Sequence, residues 1–218
     1  MSLEQSVLVE VVGEGKTDVG RSARAERPVS GVVPILLHTL CGKPQRLLVK
    51  RRSTLFLQGK GLWQKVRFAK RQAKYNQATA AVVFVVDSEG NLKASQEALV
   101  KGRDYEFPEF PMAIGIAHPC IETWLLADSS AIQRGLGLAV LPQAPQEPES
   151  LPAPRRDRRR NPKTILVQLA GRSRRELSAE EKDRIATAIA DTTSLCIRCP
   201  LGFAPFAAEI DKWIRPLF

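Results

Sequence analysis

Ala81-Val82-Val83-Phe84-Val85-Val86-Asp87-Ser88-Glu89-Gly90 decides the fold. Six apolar residues, four of them valine, run straight into an acid and then a glycine. A run of that length reads as a strand, and apolar residues at odd and even positions alike mean that both its faces are covered. That is the mark of a parallel sheet with helices on either side. Similar runs flank it. Val7-Leu8-Val9-Glu10-Val11-Val12 leads into Gly13, Arg46 to Lys50 reads as a further strand, and Met112 to Ala117 as a fourth. Between them the spacing predicts helices over 31–40, with Pro34 tolerated in the first turn, over 61–77 and over 94–101. A helix over 121–127 follows Pro119. Strands alternating with helices predict an α/β layer whose chemistry gathers at the carboxyl ends of the strands.

Three of the four strands run into chemically capable residues: Glu14, Asp87 and His118. The first motif is Val12-Gly13-Glu14-Gly15-Lys16-Thr17-Asp18, and the second is Asp87-Ser88-Glu89-Gly90. Gly13, Gly15 and Gly90 suit tight turns that fix the acids. In extended backbone, Asp87 and Glu89 would point to one side. Several carboxylates at one strand edge suit a hard divalent cation, and Mg²⁺ takes carboxylate oxygens together with water and substrate phosphates. Gly15-Lys16-Thr17 also invites a P-loop reading, but that motif needs glycine where Glu10 stands, and Glu14 would push negative charge into a phosphate cradle.

The charge distribution points the same way. The 218 residues carry a net charge of +10 and a pI near 9.8. Arg27 to Val86 holds twelve Lys and Arg and no Asp or Glu. A basic block beside a mildly acidic remainder is the footprint of a polyanion binder. Arg51, Arg52, Lys70, Arg71 and Lys74 are the candidate backbone contacts. A second basic run, Arg155-Arg156-Asp157-Arg158-Arg159-Arg160, closes a proline-rich stretch from Pro142 to Pro162 that looks free of core-forming residues. This stretch reads either as a phosphate clamp, through Arg155, Arg156 and Arg158, or as a tether. It divides the α/β part, 1–141, from a helical part, 163–218, with helices expected near 164–170, 178–190 and 206–213. Ser178-Ala179-Glu180-Glu181 is a capping box for the middle one.

No apolar run approaches the ~20 residues of a membrane span. The N-terminus lacks a basic region followed by an apolar one, and four cysteines do not make a disulfide framework, so a reduced, cytoplasmic protein is expected. Cys196-Ile197-Arg198-Cys199 could complete a zinc site with His118 and Cys120, the alternative being buried free thiols.

Glu14 in its Gly-Glu-Gly-x-Thr-Asp turn, then Asp87-x-Glu89 after an apolar strand, resembles the Toprim domain of topoisomerases, bacterial primases, recombination-repair proteins and nucleases of the overcoming-lysogenization-defect type. Ile116 to Asp128, with Glu122 at its centre, looks like the third signature of a small stand-alone Toprim-like family often linked to phage defence. The resemblance covers about residues 5 to 130. It implies a Toprim-like (Rossmann-like), mostly parallel sheet flanked by helices, with a C-terminal helical extension. By position, it makes Glu14 a general acid/base or metal ligand. Asp87 and Glu89 match the Asp-x-Asp metal motif, with glutamate in second place, and Asp18 and Glu122 match further acids. The function implied is a Mg²⁺- or Mn²⁺-dependent nuclease acting on DNA or RNA beside a partner ATPase, with a homo-oligomer left open. Glu14, Lys16, Asp87 and Glu89 would be its catalytic residues, with Lys16 stabilising transition-state charge. The alternative is a non-catalytic nucleic-acid-binding or adaptor subunit with a degenerate site, for which Glu89 in place of aspartate is the support.

Overall fold

A computed structural model describes residues 6–15, 30–42, 44–171 and 177–218. Lys16, Thr17 and Asp18 lie outside them, and with them all of the Gly-Lys-Thr segment of the P-loop reading but Gly15.

Four strands, β1 (Val7–Gly13), β2 (Leu47–Ser53), β3 (Ala81–Asp87) and β4 (Met112–Ala117), form one sheet in the order β2-β1-β3-β4. Every pairing is parallel. The β3 run is buried along its length until Asp87, as its two-sided apolar character requires. Alternate residues serve opposite cores. Val83 and Val85 face one layer, and Val82, Phe84 and Val86 face the other.

The second layer is made by α2 (Leu62–Tyr75) and α3 (Leu92–Asp104), joined to the sheet through Val66, Ala69, Ala73 and Leu99. The first is made by α1 (Val32–Leu40) and the helices after β4: α4 (Glu122–Leu126), α5 (Ser129–Leu136), α6 (Pro162–Leu169), α7 (Ala179–Ala188), α8 (Thr193–Arg198) and α9 (Phe203–Trp213). At its centre Trp124 stacks on Phe206 and meets Phe203 edge-on, with ring centroids 5.2 Å apart in each case. The carboxyl-terminal helices thus share a core with the sheet. α9 closes the outer edge of β4 so tightly that a Cβ on Gly202 would stand 2.6 Å from the Ile116 carbonyl oxygen. The Ser178 capping box is present at the start of α7.

The proline-rich stretch departs from its reading as a segment without core. Ala144, Glu149, Ala153 and Asn161 are buried. The Glu149 carboxylate accepts from the Leu201 and Gly202 backbone N–H groups, at 2.8 and 2.7 Å, just ahead of α9. Within the arginine run, Asp157 accepts from the backbone N–H groups of Arg159 and Arg160, and these bonds hold its carboxyl below the usual range. The segment is a folded strap. Among the described residues no helix is long and apolar enough to cross a membrane.

Candidate functional site

The order β2-β1-β3-β4 places the topological switch point between β1 and β3, where the chain first crosses to one side of β1 and then to the other. In such sheets the crevice outside the carboxyl ends at that point is where ligands bind. Here it is a cavity of about 370 Å³ lined by Glu14 after β1, by Asp87 at the end of β3 with Ser88 and Glu89 after it, and by Lys60, Lys65 and Arg155. Two acid motifs more than seventy residues apart in the chain meet on one cavity because β1 and β3 are hydrogen-bonded neighbours.

Each acid is held by its own contacts. The Asp87 Oδ1 atom accepts from the Ile121 backbone N–H at 2.9 Å, which ties the end of β3 to the entry of α4. The chain then turns instead of continuing extended, which revises the picture of Asp87 and Glu89 as an extended pair. Ser88 N donates to the Ala117 carbonyl and Glu89 N to the Pro119 carbonyl. Glu89 sits at φ 49° and Gly90 at φ 87°. The left-handed region costs a non-glycine residue ~1–2 kcal/mol, so Glu89 is held there by its surroundings. The Ser88 hydroxyl, 2.7 Å from His118 Nδ1, accepts from the Gly90 N–H and locks the turn. Burial pushes the His118 imidazole down. His118 therefore braces the turn through Ser88. Glu89 projects to the rim, where Arg155 pairs with it at 3.0 Å. The Ser53 hydroxyl donates to the Glu14 carbonyl at 3.3 Å, fixing the end of β1 to the end of β2.

Glu122 stands elsewhere. It is 2% exposed, and Lys182 Nζ on α7 donates to its Oε1 at 2.6 Å. Burial opposes its ionisation, but the ammonium groups of Lys182 and Lys163 prevail and hold its carboxyl below the usual range. It is absent from the lining of the acid cavity. Among the described residues, no three His, Cys, Asp or Glu side chains converge closely enough to form a metal cage. That overturns the zinc reading of Cys196 and Cys199 with His118 and Cys120. Cys120 and Cys199 are buried free thiols, and burial pushes both up.

The basic candidates divide. Arg71, Lys74, Arg155, Arg156 and Arg158 are exposed. Lys70 is 2% exposed, and its ammonium donates to the Arg103 carbonyl at 2.6 Å, so it is a buried strut and does not face solvent. Arg51 is also buried and bonds to Ser30. Arg52 lies back over β1, its Nε 2.7 Å from Glu10 Oε1 and its guanidinium on Gln72. Lys60 and Lys65 were not singled out as site residues by sequence. Their signal was their place in the acid-free run, on either side of Gly61 where α2 begins.

Comparison with protein-family models, with curated proteins and with solved structures finds no match.

Proposed function

We propose that the chain is a Mg²⁺- or Mn²⁺-dependent nuclease with a Toprim-like site, cleaving phosphodiester bonds in nucleic acid. One observation carries the reading: Glu14, Asp87 and Glu89 share a cavity with Lys60, Lys65 and Arg155 at the switch point of a parallel sheet. The donor set fits the cation. Mg²⁺ is commonly held by one or two carboxylates plus substrate phosphates and needs no all-protein cage. Glu14 and Asp87 would hold it. A divalent cation bound there supplies Lewis acidity for a phosphodiester oxygen and lowers the pKa of water.

The chain's own groups do the rest. Lys60 and Lys65 hold the phosphates of the strand beside the acids. Lys65, near the start of α2, meets the charge that develops in the transition state. Glu14 takes a proton from the attacking water at its carboxylate. Arg155 neutralises Glu89 until a phosphate competes for its guanidinium. A partner ATPase would supply regulation.

The ion pair on Glu89, with no three acids close enough to form a metal cage among the described residues, favours a second reading: an adaptor that binds nucleic acid without cutting it. Incubation of plasmid DNA, single-stranded DNA and structured RNA with Mg²⁺ or Mn²⁺, against an EDTA control, separates the two. The nuclease requires metal-dependent cutting that Asp87→Ala and Glu14→Ala each abolish. Salt-sensitive binding with no cutting in any metal leaves the adaptor.

A further inference from the structure

Three large side chains stand unusually open, two of them beside Thr54 of the acid cavity and one at the far end of α2. Leu55 and Phe56 are each 78% exposed and Tyr75 is 68% exposed. Leu55 and Phe56 sit on a 3₁₀ turn, Thr54–Phe56, directly after β2. That turn is fixed, not floppy. The Leu55 N–H donates to the Ser53 hydroxyl, the same hydroxyl that donates to the Glu14 carbonyl, and Leu57 N donates to the Thr54 carbonyl. An apolar pair is thus held out in water on a mount shared with the acid site. Tyr75 is also braced, edge-on against Phe107 with ring centroids 5.8 Å apart.

A second cavity continues from there. It lies beside α2, lined by Phe68, Arg71, Gln72 and Tyr75 together with the Glu10–Arg52 pair, of which only the carboxylate is buried. The loop between β2 and α2 borders both cavities, with Thr54, Lys60 and Gly61 on the first and Gln58 on the second. Lys65, Phe68, Gln72 and Tyr75 recur at helical spacing, so one side of α2 runs from the first cavity to the second. Lys65 to Tyr75 spans ~15 Å at 1.5 Å per residue, room for about four stacked nucleotides.

Exposed, braced aromatics interleaved with cations are what a single strand of nucleic acid requires. Each base offers a face for stacking, and the cations follow the phosphates. A closed duplex hides those faces. We infer that the substrate is single-stranded nucleic acid, threaded from the acid cavity along α2, with unpaired bases stacking on Phe56 and Tyr75 and phosphates on Lys65 and Arg71. This rests on the nuclease reading for its direction toward the acids, but not for the binding itself.

The test is fluorescence anisotropy of the full chain in EDTA, with a labelled oligodeoxythymidine and with a duplex of equal length. Single strand should bind at least tenfold more tightly. Phe56→Ala and Tyr75→Ala should each weaken it about tenfold or more, at ~1–3 kcal/mol per stacked base. Tyr105→Ala, which removes an aromatic tilted against Trp63, should leave it unchanged. Because Phe56 and Tyr75 are exposed, thermal melts of the variants should match wild type. Equal affinity for duplex, or unchanged affinity in both variants, overturns the inference. Single-strand binding lost in both variants, in a protein that never cuts, supports the track while removing the nuclease. Metal-dependent cutting with no strand preference does the reverse.

Discussion

The Arg155 guanidinium reaches Glu89 at 3.0 Å, joining the strap after β4 to the turn after β3 across the rim of the acid cavity. Both side chains are largely exposed, and an ion pair so placed contributes ~0–1 kcal/mol. Its importance is therefore in charge and not in stability. Arg155→Ala should leave the melting temperature within about a degree of wild type. It should also tighten Mn²⁺ binding, measured calorimetrically, because Glu89 regains its unpaired charge. Nucleic-acid affinity should fall, with the salt slope reduced by about one. Unchanged Mn²⁺ affinity would mean that Glu89 takes no part in holding a cation.

Glu122 and Lys182 form the opposite case, a buried pair. Removing one partner of such a pair costs ~3–5 kcal/mol, because the remaining charge is stranded. Glu122→Ala should destabilise by that order, and Glu122→Ala with Lys182→Met should recover most of it. The Glu122 carboxyl is held below its ordinary 4.5. A depressed acid contributes stability that is complete above its unfolded value and is lost as pH falls through its folded value. Wild type should therefore lose this contribution below about pH 4.5, and Glu122→Gln should not show that loss. Chemical denaturation at a series of pH values reads both.

Lys70 and Arg71 are adjacent in sequence and opposite in role. The Lys70 ammonium is committed to the Arg103 carbonyl, and burial lowers its pKa. Arg71 is exposed on the second cavity. Lys70→Met should leave the salt dependence of nucleic-acid binding unchanged, whereas Arg71→Ala should lower its slope by about one. Equal effects from the two would place the phosphate path on the other side of α2.

Glu149→Ala removes the acceptor of two backbone N–H groups in front of α9. Leaving buried donors unpaired costs ~1–3 kcal/mol. At ~2–4 °C per kcal/mol for a chain of this size, calorimetry should record a clear fall in melting temperature. Glu149→Gln, which retains one acceptor oxygen, should recover part of it.

The four strands and α2 were legible because each states its environment locally: two-sided apolar runs for β1, β3 and β4, and a 3.6-residue stripe for α2. What escaped depends on distant partners. The stretch holding α5 contains Gly135, which reads as a breaker. In the structure a Cβ there would meet the Ile185 backbone at 2.6 Å, so this glycine lets α5 and α7 approach closely. Pro205 hid the first turn of α9, where proline is tolerated. The pairing of Glu14 with Asp87 at one edge was expected from two strand ends. The burial of Glu122 was not, because Lys182 is sixty residues away. Lys70 was misplaced for a related reason: it lies off the apolar stripe of α2, yet α3 and its last carbonyls cover it.

Two of the fastenings of the strap between Pro142 and Pro162 stand six residues apart, Glu149 on the front of α9 and Arg155 on Glu89. It therefore works as a crossbeam: a shift of α9 along the edge of β4 would be delivered to the acid rim as a change in where one guanidinium stands. Cutting the chain at residue 141 would remove more than a set of helices. It would take Arg155 from Glu89 and leave Lys60 and Lys65 as the cations of the cavity, so the isolated sheet is not a miniature of the whole.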